Sequence, residues 1–187
     1  MKIMKKILIF FADGFEEIEG LTVVDLCRRA KLDISTVSIT DSNTVVSSHK
    51  IELKTDYTIN QVNFDEADMI VLPGGIPGTP NLEACSLLIE NVVKFNEQGK
   101  MLAAICAAPS ILGHLGILKG KEAICYPGFE EELEGATIKN VKSVTSGNVI
   151  TACGMGGAID FGLDIVAHYQ GQQATDDLAV KIRQVID

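Results

Sequence analysis

The stretch "MLAAICAAPSILGHLG" (101–116) decides the fold. It begins with an apolar run of strand length, "MLAAI" (101–105), and Cys106 comes directly after it. After the cysteine come small residues, then "APSILGHLG" (108–116), apolar at helical spacing with Pro109 in the first turn. The pattern is a strand feeding a helix through a tight turn, with Cys106 at the junction. Cys106 is either an ordinary packed cysteine or a nucleophile raised on that turn.

Outward from this stretch the same alternation recurs. Strands are expected at 6–11 ("KILIFF"), 33–39, 69–75 ("MIVLPGG", running into a glycine loop) and 122–126, with a hairpin at 144–152 around Gly147. Helices are expected at 16–30, 86–100 (stopped by Gly99), 158–171 and 173–186. Short edge strands are expected within 43–60. A β-α-β-α rhythm implies a mostly parallel sheet with helices on both faces. With 187 residues, no linker and no repeat, the chain reads as one domain over 1–187.

Composition narrows the functions. Sixteen basic against 25 acidic residues leave a net charge of −9, which argues against nucleic acid and anionic membranes as partners. No run reaches the roughly 18 apolar residues of a membrane helix. The start "MKIMKKILIFFADGFEE" has too short an apolar core and acidic residues too early for a signal peptide, so a cytoplasmic location is expected. Five cysteines (27, 85, 106, 125, 153), with no C-x-x-C pair, speak against a disulfide framework or zinc site. Neither metal nor cofactor is expected. "PGGIPG" lacks the G-K-[ST] of a phosphate loop.

In parallel α/β sheets, ligands bind beyond the carboxyl ends of strands. That rule selects "ADGFEEIE" after 6–11, "PGGIPG" after 69–72 and "CAAPS" after 101–105. At the last, Ala103, Ala104, Ala107 and Ala108 give the thiol clearance, and the helix N-terminus would lower its pKa. At Gly74 and Gly75 a backbone N–H can approach closely and form half of an oxyanion hole, or the pair is only a turn. Glu16, Glu17 and Glu19 suit a helix start; one of them beside the thiol would share a proton with it.

With these motifs assembled, the sequence resembles the ThiJ/PfpI superfamily, in the branch of the parkinsonism-associated deglycase and its bacterial relatives. The carriers are "GFEEIE" (14–19), "VLPGG" (71–75), "AAICAAP" (103–109), "YPGFE" (126–130) and "AIDFGLDIV" (158–166). The resemblance implies a flavodoxin-like three-layer α/β sandwich, similar to class I glutamine amidotransferases, and a homodimer. It makes Cys106 the reactive cysteine and Glu19 its carboxyl partner. The N–H groups of Gly75 and Ala107 become the oxyanion donors.

Departures from the family pattern shape the function. Ala107 stands where the superfamily's proteases have a histidine, so protease chemistry is not expected. Tyr126 stands where some relatives have a proton-transferring histidine; it donates a hydrogen bond but is a poor base, and either shapes the pocket or takes part. Cys153 and His49–Lys50 occupy the neighbourhood of two arginines. Cys153 is either packed or within reach of an oxidised Cys106. His114 reads as structural and His168 as a helix-end residue. The resemblance implies an enzyme acting on 2-oxoaldehydes or their adducts. The alternative is an oxidative-stress protein whose Cys106 is oxidised without turnover; the ligand is then an oxidant instead of an aldehyde.

Overall fold

The computed structural model describes residues 6–185. In chain order the elements are β1 (Lys6–Phe11), α1 (Glu17–Arg29), β2 (Asp33–Ser38), β3 (Thr44–Val46), β4 (Glu52–Lys54), β5 (Tyr57–Thr58) and β6 (Ala67–Leu72). Next come α2 (Gly78–Glu83), α3 (Ser86–Glu97), β7 (Met101–Ile105), α4 (Pro109–His114), β8 (Glu122–Ala123) and β9 (Thr137–Ile138). The chain closes with β10 (Ser143–Ser146), β11 (Val149–Ala152), α5 (Ala158–Gln170) and α6 (Gln172–Lys181).

Seven strands form the main sheet in the order β10-β11-β7-β6-β1-β2-β5. All neighbours pair in parallel except β10 with β11, which is the expected hairpin. The central strands are nearly all apolar, with Lys6 and Asp68 near the starts of β1 and β6, because both faces are covered. Leu8 and Phe10 face the layer of α3 and α4, and Ile7, Ile9 and Phe11 face α1 and α5. Each such side chain contributes about 1.5–3 kcal/mol on burial. The helix α6 packs outside, on Leu26, Leu163 and Val166. This is the flavodoxin-like three-layer arrangement.

The chain leaves β1 for β2 on one side and later returns to place β6 on the other. The switch point therefore lies between β1 and β6, with β7 next to β6. The three loops after β1, β6 and β7 all open there.

Several boundaries shift. The strand running into the glycine loop starts earlier, at Ala67, and ends at Leu72 as the loop rule placed it, with Gly74 and Gly75 bending across to α1. The segment 122–126 is a strand only at Glu122–Ala123, paired with β9 in a separate small sheet. Its continuation is held otherwise: Ile124 N–H donates to Thr151 Oγ1 at 3.0 Å and Tyr126 N–H to the Cys106 carbonyl at 2.8 Å. The helix at 108–116 has only six residues, and 173–186 is helical only to Lys181. The helix α2 is an addition; "GTPNLE" is too short for periodicity to announce it.

Candidate active site

Cys106 comes after β7 with φ of 67°. A non-glycine residue in this left-handed region costs about 1–3 kcal/mol and persists where its surroundings over-determine it. They do here. Cys106 N–H donates to the Ala152 carbonyl at 2.9 Å, its carbonyl accepts from Tyr126, and Ala108 N–H donates to the Ile105 carbonyl at 3.1 Å. The turn aims the thiol off the end of the sheet.

Glu19 reaches this thiol from the first turn of α1. The helix begins where the Glu16 carboxylate accepts from Glu19 N–H at 2.8 Å. Glu19 is 1% exposed and hydrogen-bonds the Cys106 thiol. Gly74 N–H donates to its Oε2 at 3.0 Å, and Met155 N–H also bonds the carboxyl. Burial pushes the Glu19 carboxyl up to about 7. The Cys106 hydrogen bond opposes that rise, the Glu16 charge adds to it, and the two backbone donors oppose it.

The expectation of a lowered thiol pKa is corrected by this environment. Burial raises the Cys106 pKa, and the Glu19 charge and hydrogen bond raise it further. The N–H groups of Ala107 and Gly75 pull the other way and do not prevail. The helix beyond is too short to add a large dipole. The two groups act as a pair: one proton leaves near neutral pH, and the remaining one is shared. The thiolate exists in the form that keeps this proton on Glu19.

The two glycines divide their roles. Gly74 gives its N–H to Glu19, and Gly75 gives its N–H to Cys106 opposite Ala107. A side chain at Gly74 is excluded: its Cβ would lie 2.6 Å from Cys106 Cβ and 2.6 Å from Glu19 Oε2. Gly75 has φ of 101° and packs on the backbone of Gly14 to Glu16.

Gly154 and Met155 are site residues that sequence reasoning missed. A Cβ at Gly154 would stand 3.8 Å from the Cys106 sulfur and 3.1 Å from Tyr126. The missing side chain leaves open the space above the thiol. The run "TACGMGG" (151–157) carries a signal in its glycines, but backbone donation by Met155 depends on a loop path that residue types do not encode. Tyr126 is half exposed and lines a cleft of about 810 Å³ with Met155, Ile138, Lys142 and Cys153. Cys153 directly succeeds Ala152, the partner of Ile105 in the sheet, and its sulfur lies against Gly157.

His49 lies beside the site and binds Glu17 Oε1 at 2.9 Å. Among the described residues, Glu16, Glu17 and His49 are the one grouping of metal-capable side chains; Glu16 accepts from Glu19 N–H and Glu17 Oε1 pairs with His49, while Glu17 Oε2 is buried without a hydrogen-bond partner. No helix among the described residues is long and apolar enough to cross a membrane.

Comparison with known proteins identifies the family. The sequence model of the DJ-1/PfpI family matches residues 5–168. The chain belongs to the DJ-1/PfpI family. It is 34% identical over 171 residues to Protein DJ-1 homolog B of Arabidopsis thaliana, covering 90% of this chain and 39% of that protein. The chain thus spans less than half the length of that relative. Deglycase PH1704 of Pyrococcus horikoshii is 29% identical over 79% of this chain and 89% of its own. The solved structure "Toxoplasma gondii DJ-1, oxidized" superimposes with a TM-score of 0.91 at 29% identity, covering 96% of this chain and 98% of that one. As a DJ-1/PfpI member the chain has the flavodoxin-like fold that its sheet order describes.

Proposed function

We propose that this protein is a cysteine-dependent enzyme that converts reactive 2-oxoaldehydes, free or as early adducts on thiols and amines, to hydroxy acids. The observation that carries the reading is the Cys106–Glu19 pair, with the Gly75 and Ala107 N–H groups directed at the same sulfur. The family also contains proteins named deglycases.

The chemistry is built on that geometry. With the shared proton on Glu19, the Cys106 thiolate attacks the aldehyde carbon. A C–S bond forms, and the carbonyl electron pair moves to oxygen. The two N–H groups are positioned to hold that oxyanion, and Glu19 delivers its proton to it, giving a hemithioacetal. Glu19 then takes the hydrogen of that carbon as a proton. That proton returns to the neighbouring carbon and the hemithioacetal hydroxyl proton passes to the ketone oxygen, so the ketone is reduced to an alcohol as the aldehyde carbon is oxidised to a thioester. Water cleaves the thioester, releasing hydroxy acid and free thiol. With an adduct as substrate, the amine or thiol carrier leaves before or as this sequence begins. Tyr126, at the mouth, donates a hydrogen bond or shapes the pocket.

The deciding experiment is methylglyoxal turnover to lactate by purified protein, with Cys106→Ser and Glu19→Gln alongside. Turnover lost in both variants supports the enzyme. Turnover absent from wild-type protein refutes it.

A second reading has a specific support: a structural neighbour at TM-score 0.91 is named as an oxidized DJ-1. In this reading peroxide oxidises Cys106 to sulfenate and then sulfinate, whose oxygens the same N–H groups and protonated Glu19 would stabilise. A homodimer is part of both readings. Its support is an exposed apolar patch of Ile18, Leu21, Ile51 and Ile159. Light scattering of the purified protein measures it.

A further inference from the structure

His114 stands at the last position of α4 with both ring nitrogens engaged. Its Nδ1 lies 2.6 Å from Glu83 Oε1 and its Nε2 2.7 Å from Glu132 Oε2. A carboxylate oxygen only accepts, so two such contacts need two N–H donors. The neutral ring has one donor and one lone pair. The contacts therefore require the imidazolium.

The three residues sit on three segments that leave the site. Glu83 ends α2, which begins three residues after Gly75. His114 ends α4, which lies just beyond the Cys106 turn. Glu132 ends the short helical turn Glu130–Glu132, reached from Tyr126. Gly113 packs against the backbone of Glu132, so the segments meet with no side chain between them. No other titratable group is present in α2 or α4. On the Glu130–Glu132 turn, Glu130 is engaged with Gly128 N–H at 2.7 Å.

We propose that His114 is a proton-controlled positioning residue: as imidazolium it clamps the far ends of the segments that carry Cys106, Gly75 and Tyr126. When it loses its proton, one ring nitrogen presents a lone pair to a carboxylate, and that arm of the clamp opens. The strained Cys106 turn then loses support at the far end of α4. His114 touches neither thiol nor substrate and acts through that helix. Its pKa is raised, first by the Glu132 and then by the Glu83 hydrogen bond. The clamp is therefore fully present below the ordinary histidine pKa and is lost as pH rises through the raised value. The proposal rests on Cys106 being the reactive thiol and not on any particular substrate.

The test compares wild type with His114→Gln, which carries no charge at any pH and so cannot titrate. The His114 Cε1 proton is followed by NMR against pH, and Cys106 alkylation by iodoacetamide is read by mass spectrometry. The His114 resonance should titrate above the ordinary value. At low pH the wild type should alkylate faster than the variant, by roughly two- to fivefold for two exposed ion-paired contacts. The ratio should fall to one as His114 deprotonates. Glu83→Gln combined with Glu132→Gln should return the His114 titration to the ordinary value and abolish the pH dependence of the ratio. A normal or lowered His114 titration, or a ratio constant across pH, overturns the clamp. Cys106 alkylating no faster than Cys27 would instead refute the reactive thiol, while the NMR titration still reports on the clamp.

Discussion

The Glu19 carboxyl meets the Cys106 thiol from inside the protein, with almost no contact with water. A buried carboxyl raised to about 7 holds its proton in the folded state at a pH where the unfolded chain has released it. Its stabilising effect is therefore full below the ordinary carboxyl range and is lost as pH rises through about 7.

Glu19→Gln is expected to make the protein more stable above pH 7, by about 2 kcal/mol, while abolishing turnover. The variant keeps an oxygen for the Gly74 and Met155 donors and carries no charge to bury. Urea unfolding at pH 5 and pH 8 checks this: the gain should appear at pH 8 and shrink at pH 5. Equal stability at both pH values removes the raised carboxyl from the account.

The rate of Cys106 alkylation should rise with a midpoint near pH 7 in the wild type, where the pair loses its first proton. Glu19→Gln should abolish that midpoint. Cys27, buried and pushed up to about 12, should remain unlabelled. An unchanged profile in Glu19→Gln argues that the two groups titrate independently.

Gly74→Ala should cost at least tenfold in turnover and about 1–3 kcal/mol in stability, because its Cβ has no room beside Cys106 and Glu19. Gly99→Ala is the control. Gly99 also has positive φ, at 67°, but nothing lies within 4 Å of its Cβ position. That variant should lose about 1 kcal/mol and keep full activity.

Cys106→Gly should be inactive yet more stable than Cys106→Ala, by about 1 kcal/mol, since only glycine adopts the turn without strain. Thermal unfolding of the two variants decides it. Identical midpoints would mean the turn stores no strain.

Casein and fluorogenic peptides should not be cleaved. Ala107 is buried and offers no imidazole next to the thiol. Hydrolysis that disappears in Cys106→Ser would overturn this.

The legible part of the fold was the part written in apolar runs. "KILIFF" and "MLAAI" are buried on both faces, and nothing but a central strand suits them. The Cys106 turn was legible because small residues and Pro109 leave the chain few paths out of β7. The segment 122–126 misled because "EAICY" carries strand-like side chains, while its backbone is bound by Thr151 and the Cys106 carbonyl. The thiol pKa misled for a related reason. Local sequence displayed the helix start, but the burial and the Glu19 charge that prevail are tertiary. Met155 serves through its backbone, which its side chain does not advertise.

The carboxyl, the backbone donors and the thiol lie just past β1, β6 and β7, three adjacent strands contributed by distant parts of the chain. No local fragment contains the candidate site. During synthesis β1 and β6 emerge first, β7 then brings the sulfur to the side of β6, and β11 follows later to pair with β7 on its other side. Loop closures of that length precede any chemistry. The proposed turnover would thus serve as a quality stamp, since the full set of carboxyl, donors and thiol exists only in molecules whose sheet is complete.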